Sequence, residues 1–174
     1  MSVPLQPMLD LLYEAMDGSD ASLAYSERHG IKSQAILTVF DDETASSIAE
    51  HLADRIAGKV VVEVGGGIGL LAFHLGRYAK RVFCIEASPV WASAFLAALL
   101  ESKPKNVSYL FGTADEFADL IKADVALFCA HSGIASMKAA GRLFAPEIID
   151  VYGEIILSNP ASFDELARKL REFA

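Results

Sequence analysis

The stretch VVVEVGGGIGLLAFHLG, residues 60–76, sets four glycines within five positions between two apolar runs. Glycine weakens strands and helices alike, so this concentration needs a reason. Val60–Val64 has the β-branched content of a buried strand, and 69–78 the apolar density of a helix. A glycine-rich turn between them lets the backbone bend sharply and leaves no Cβ atoms against a bound molecule. The bland alternative is a tight strand-to-helix turn without a ligand, which a single glycine would serve.

Working outward, strands and helices alternate. The run DDETASSIAEHLADRIAGK, residues 41–59, reads as a helix with acids in its first turn, Ile48, Leu52 and Ile56 on one face and Gly58 as its stop. Further strands are expected at 81–86, 106–112, 123–130 and 150–158. Helices are expected at 88–102, where Ser88 caps and Pro89 takes the first turn, at 115–121, at 133–145, and over the closing stretch SFDELARKLREF. This alternation predicts an α/β fold: a doubly wound, mostly parallel sheet of about five strands with helices on both faces. The chain reads as one domain, 1–174. Residues 1–43 supply an N-terminal helix and a lid in which Tyr25, Arg28 and His29 could shape a pocket; a solvated loop is the alternative. Residues 44–174 supply the core.

Composition sets bounds on function. Hydrophobic residues make up 53% of the chain and charged residues 22%, a globular balance. The net charge of −8 argues against a nucleic-acid partner, because neutralising phosphates takes Lys and Arg. Cys84 and Cys129 lie in strand-like runs, no signal peptide opens the chain and no apolar run reaches membrane-spanning length. The expectation is a cytoplasmic protein with reduced thiols and no membrane contact. The four histidines show no metal-ligand spacing, so no metal site is expected.

In a doubly wound sheet, ligands bind beyond the C-terminal strand ends, where strand order reverses. The dinucleotide fingerprint G-x-G-x-x-G would place its third glycine where Leu70 stands. The loop instead reads G-x-G-x-G at Gly65, Gly67 and Gly69, preceded by Glu63. Glu86 closes the next strand about 20 residues on, where a carboxylate can accept both hydroxyls of a ribose. That second acid supports a nucleoside ligand without choosing its class.

VVEVGGGIGLL followed by VFCIEAS resembles the Rossmann-like (class I) S-adenosylmethionine-dependent methyltransferases. The resemblance covers roughly residues 44–158. It implies S-adenosylmethionine as cofactor, with Gly65, Gly67 and Gly69, and Gly66 between them, around the methionine part. It further implies that Glu63 orients the amino-acid end and that Glu86, with Ala87 beside it, grips the ribose. The upstream HGIKSQAILTVFDDETASSIAEHL is similar to the segment before the cofactor motif in protein arginine methyltransferases.

The departures carry information too. Where the family commonly reads G-D-A after the third strand, this chain reads GTAD, so adenine falls to Thr113, Ala114, Asp115 or backbone alone. The stretch CAHSGIASMK lacks the two glutamates that hold a guanidinium in the arginine methyltransferases, which argues against arginine as acceptor. The Asn-Pro-Pro-aromatic motif of nucleic-acid amino methylases is missing there as well, and Asn159-Pro160 reads as a turn. His131, at the end of the fourth strand, is the candidate general base; a hydrogen-bonded strand-end histidine is the alternative. His74 and His51 read as structural, and Trp91 and Phe95 as core. The family's two further strands are absent from the pattern, so either the sheet stops at five or a homo- or hetero-oligomeric partner covers its edge. The function expected is methyl transfer to an unidentified small-molecule or protein acceptor. The alternative is a cofactor-binding regulatory or partner subunit without transferase activity.

Overall fold

The computed structural model describes residues 42–87, 104–130 and 133–156. Val60–Val64, an uninterrupted apolar strand but for Glu63, is the centre of the sheet and is named β1. Before it runs α1 (Asp42–His51), continued after a break at Leu52 by the short α2 (Ala53–Ile56). Ala45, Ile48, Ala49, Leu52 and Ile56 are all fully buried, the helical spacing of a single apolar stripe. Gly58, at φ +69°, ends the helix and delivers the chain to β1.

After β1 come α3 (Leu70–Leu75), β2 (Arg81–Glu86), β3 (Val107–Phe111), α4 (Ala114–Phe117), β4 (Val125–Phe128), α5 (Ile134–Arg142) and β5 (Glu147–Asp150). The five strands form one sheet in the order β3-β2-β1-β4-β5, and every pairing is parallel. Order reverses between β1 and β4. That is the doubly wound α/β arrangement, and the glycine loop leaves β1 at its switch point.

Each face of the sheet has its own core. Val61, Val82, Cys84, Val107, Val125 and Leu127 pack with the stripe of α1 and with Leu71, Ala72 and Leu75 of α3. Val62, Val64, Ile85, Ala126 and Phe128 pack on the other face with Ile121, Phe144 and Ala145, against Met137 and Ala140 of α5. The period-two alternation of buried parallel strands thus supplies both layers.

One element departs from expectation. The fifth strand is β5, Glu147–Asp150, rather than 150–158, and the chain turns from it into a π-helical turn, Val151–Ile156. Asp150 is the cause. Its Oδ1 accepts the Gly153 N–H at 2.9 Å, and its own N–H donates to Glu154 Oε1 at 3.4 Å. Local side-chain bonds of this kind compete with a strand ladder. The apolar run after Asp150 therefore packs as a turn, with Val151 and Ile155 buried.

The fifth strand is also tied from outside. Arg55 of α2 donates to Glu147 at 3.0 Å and to Glu154 at 3.1 Å, and Lys59 reaches Glu147 at 3.2 Å. Burial pushes the Glu147 carboxyl up, but Arg55 and Lys59 outweigh it and hold it below the usual carboxylate range. The expected N-terminal helix and lid, the helices at 88–102 and after 158, and Trp91, Phe95 and Asn159 lie outside the described residues. Among the described residues no helix is long and apolar enough to cross a membrane.

Candidate cofactor site

The loop after β1 is built from three left-handed glycines: Gly65 at φ +69°, Gly67 at +57° and Gly69 at +74°. Side chains rarely adopt that region, so this backbone path requires glycine at each of the three. The Gly65 and Gly66 N–H groups both donate to the Ile85 carbonyl, at 2.8 and 3.2 Å, which extends the β1–β2 ladder into the turn. Gly69 N–H then closes on the Gly66 carbonyl at 2.8 Å and α3 begins.

The missing side chains at Gly65, Gly66 and Gly67 serve different ends. A Cβ on Gly66 would sit 2.2 Å from Cys84 Sγ, so there the missing side chain makes room for the strand beneath. On Gly65 it would meet Met137 Cε of α5 at 3.0 Å. On Gly67 it would meet nothing within 4 Å. Gly67 is the point where the loop faces open space.

Two side chains grip that residue. Glu86, at the end of β2, accepts the Gly67 N–H at 2.9 Å, and Tyr109 of β3 donates its hydroxyl to the Gly67 carbonyl at 2.9 Å. Beneath the loop, Glu63 of β1, Cys84 of β2 and Tyr109 of β3 stand in register across three strands. Glu63 is only 4% exposed, and its Oε2 is buried with no hydrogen-bond partner. Burial pushes the Glu63 carboxyl up to about 8, against the Cys84 thiol, which draws it down; the charge of Glu86 adds to the rise. Burial likewise raises the thiols of Cys84 and Cys129, and Glu63 adds to both shifts. Neither cysteine is poised as a nucleophile.

The third side of the site is the end of β3. Gly112 N–H donates to the Glu86 carbonyl at 2.9 Å, which sets the residues after β3 beside Glu86 and Ala87. The Glu116 carboxylate accepts from the Thr113 N–H at 2.6 Å and from its hydroxyl at 3.1 Å, so Thr113 starts α4. Thr113 and Asp115 are exposed, and Ala87 and Ala114 half-buried. The structure therefore brings Glu63, Gly65, Gly66, Gly67, Gly69, Glu86, Ala87, Thr113, Ala114 and Asp115 to the same C-terminal edge of β1, β2 and β3. His131 lies outside the described residues, as do Tyr25, Arg28 and His29. His74 is buried in α3, with Nε2 2.8 Å from Asp42 Oδ1, and joins α3 to α1. His51 is exposed on α1. Among the described residues no three metal-ligating side chains converge.

Tyr109 is the member of this constellation that the sequence does not reveal. Its place in a strand is legible, but its contact with a loop two strands away depends on the β2–β3 register. Leu70, where the dinucleotide fingerprint has glycine, is 3% exposed and packs in the core. That glycine exists to let helix and strand approach closely, and here a leucine fills the gap instead.

No protein-family model matches the sequence, and no curated protein does either. Solved structures do resemble it. A precorrin-6y C5,15-methyltransferase from Geobacter metallireducens superposes at a TM-score of 0.55, with 18% identity over 74% of this chain and 72% of its own. A candidate RNA methyltransferase from Pyrococcus horikoshii gives 0.51 and 21% identity, over 61% of this chain and 57% of its own. The glycopeptide N-methyltransferase MtfA gives 0.50 and 19%, over 58% of this chain and 49% of its own. This chain thus spans little more than half of the Pyrococcus protein. The three names share one reaction and differ in acceptor. At these identities the likeness is one of architecture: the chain has a Rossmann-like α/β fold, the fold in which these methyltransferases are built.

Proposed function

We propose that this protein is an S-adenosylmethionine-dependent methyltransferase acting on a small-molecule or protein acceptor. The observation that carries the reading is Glu63. A buried carboxyl oxygen without a partner, directly under a left-handed glycine loop that opens at Gly67, suits the amino group of an amino-acid-bearing nucleoside, whose positive charge would favour the ionised form. An unpaired buried polar atom is costly, and an incoming ammonium would offset that cost.

The remaining roles follow from position. Gly65, Gly66, Gly67 and Gly69 bound the methionine part, Glu86 and Ala87 the ribose, and Thr113, Ala114 and Asp115 the adenine. Because the Thr113 hydroxyl is engaged with Glu116, adenine relies there on backbone and on Asp115. When bound, the cofactor supplies a sulfonium methyl for in-line displacement. The protein's part is to hold the acceptor in near-attack geometry, worth ~7–11 kcal/mol of barrier in favourable cases. Where the acceptor must lose a proton, His131 is the residue assigned as general base. The net charge of −8 favours acceptors other than nucleic acid.

The test is transfer of labelled methyl from S-adenosylmethionine to fractions of a cell extract, with heat-killed protein as control. Label entering one chemically defined fraction supports the reading. Binding without label entering any fraction would favour the alternative of a cofactor-binding partner subunit.

A further inference from the structure

We infer that Tyr109 is a positioning residue that, together with Glu86, locks the two peptide units flanking Gly67 in the orientation a ligand meets. The inference rests on reading the glycine loop as the cofactor cradle, but its structural half stands apart from the ligand's identity.

Gly67 is held in place by nothing in its own chemistry. It has no side chain, its φ is +57°, and a Cβ there would find no neighbour within 4 Å. A glycine in that state samples both signs of φ at little cost, so its peptide planes would turn freely without outside restraint. The restraint comes from two other strands. Glu86 takes the Gly67 N–H from the end of β2, and Tyr109 gives its hydroxyl proton to the Gly67 carbonyl from inside β3, both at 2.9 Å.

The geometry that lets Tyr109 reach is itself built in. Tyr109 pairs with Cys84, which pairs with Glu63, so the phenol lies on the same face as the buried acid. Gly66 has no Cβ, and the Cys84 sulfur sits close beneath the turn in the space this leaves. The loop consequently rests low on the sheet, within range of a side chain two strands away. Burial, reinforced by Cys84, Glu86 and Glu63, pushes the ionisation of the Tyr109 phenol far up, so it remains a donor at any working pH. A loop whose two peptide units either side of one glycine are both held loses less freedom when a ligand binds, which raises affinity without a new contact.

The test is the isosteric substitution Tyr109→Phe, which removes only the hydroxyl. Two readouts are compared with wild type: the Kd for S-adenosylhomocysteine, and amide hydrogen exchange over residues 65–69 in the ligand-free protein. The expected result is a Kd about 3- to 10-fold weaker, the range one net hydrogen bond supplies. It comes with faster exchange confined to the loop, while amides of β1, β2 and β4 keep their protection. Exchange that rises equally through the sheet would make Tyr109 a general stability residue and overturn the inference. So would a loop and a Kd both unchanged. If wild type does not bind S-adenosylhomocysteine, the functional reading fails, and loop-confined exchange in Tyr109→Phe still decides the clamp.

Discussion

Glu63 is where the chemistry of a single residue is most exposed to test. Burial pushes its carboxyl up to about 8 in the folded chain, from an ordinary value of 4.5. Between those values the folded chain holds a proton that the unfolded chain has released. Its contribution to stability is therefore complete below about pH 4.5, declines as pH rises and is lost once pH passes about 8. Glu63→Gln keeps the neutral form at every pH. Thermal melts of the two proteins should coincide most closely near pH 5 and diverge toward pH 9, with the variant the more stable; a constant gap would contradict the assignment. Gly66 offers a second test at this scale. Gly66→Ala drives its Cβ into Cys84 Sγ, an overpacking of the kind that costs ~1–3 kcal/mol. Adding Cys84→Ala removes the sulfur and should recover most of that loss in denaturant unfolding. If the double variant is no more stable than Gly66→Ala, the sulfur is not what the missing side chain accommodates. The glycines were legible in the sequence because left-handed turns select residue type directly. The separate tasks of Gly65, Gly66 and Gly67 were not, because each depends on what the fold brings against it.

At the scale of elements, helix ends show how the sheet is tied together. Asn106, just before β3, donates its amide to the carbonyls of Gly76 at 2.8 Å and Ala79 at 3.1 Å, satisfying acceptors left over after α3. Asn106→Ala should cost ~1–3 kcal/mol, two net hydrogen bonds at ~0.5–1.5 each, measured by urea unfolding. Asn106→Asp, which cannot donate, should lose about as much, and a stable Asp variant would refute the capping role. The strands β1 and β2 were readable to the residue because buried parallel strands are continuous apolar runs bounded by turn signals. The fifth strand was misplaced for an equally physical reason. DVYGEIILS has strand composition, yet Asp150, Gly153 and Glu154 close a local network that composition does not reveal. Similarly, the helix after the loop ends at Leu75 rather than at Tyr78.

The whole molecule unites these features in one place. Strand order β3-β2-β1-β4-β5 puts the reversal beside the glycine loop, and the ends of β2 and β3 bring Glu86 and the Thr113–Asp115 turn to it. This architecture was legible because alternation of strands and helices leaves few topologies open. The acceptor was not, because it is chosen by pocket shape and not by a motif. The central claim is that the open loop at Gly67 receives S-adenosylmethionine and not a nicotinamide dinucleotide. Calorimetric titration of the full chain with S-adenosylhomocysteine and with NADH, on wild type and Gly67→Val, tests it most directly. Valine at φ +57° is strained and projects into the open space, so the variant should not bind. The account predicts saturable one-to-one binding of S-adenosylhomocysteine by wild type, its loss in Gly67→Val, and no heat from NADH. Saturable binding of NADH, no binding of S-adenosylhomocysteine by wild type, or affinity undiminished by the valine would contradict it.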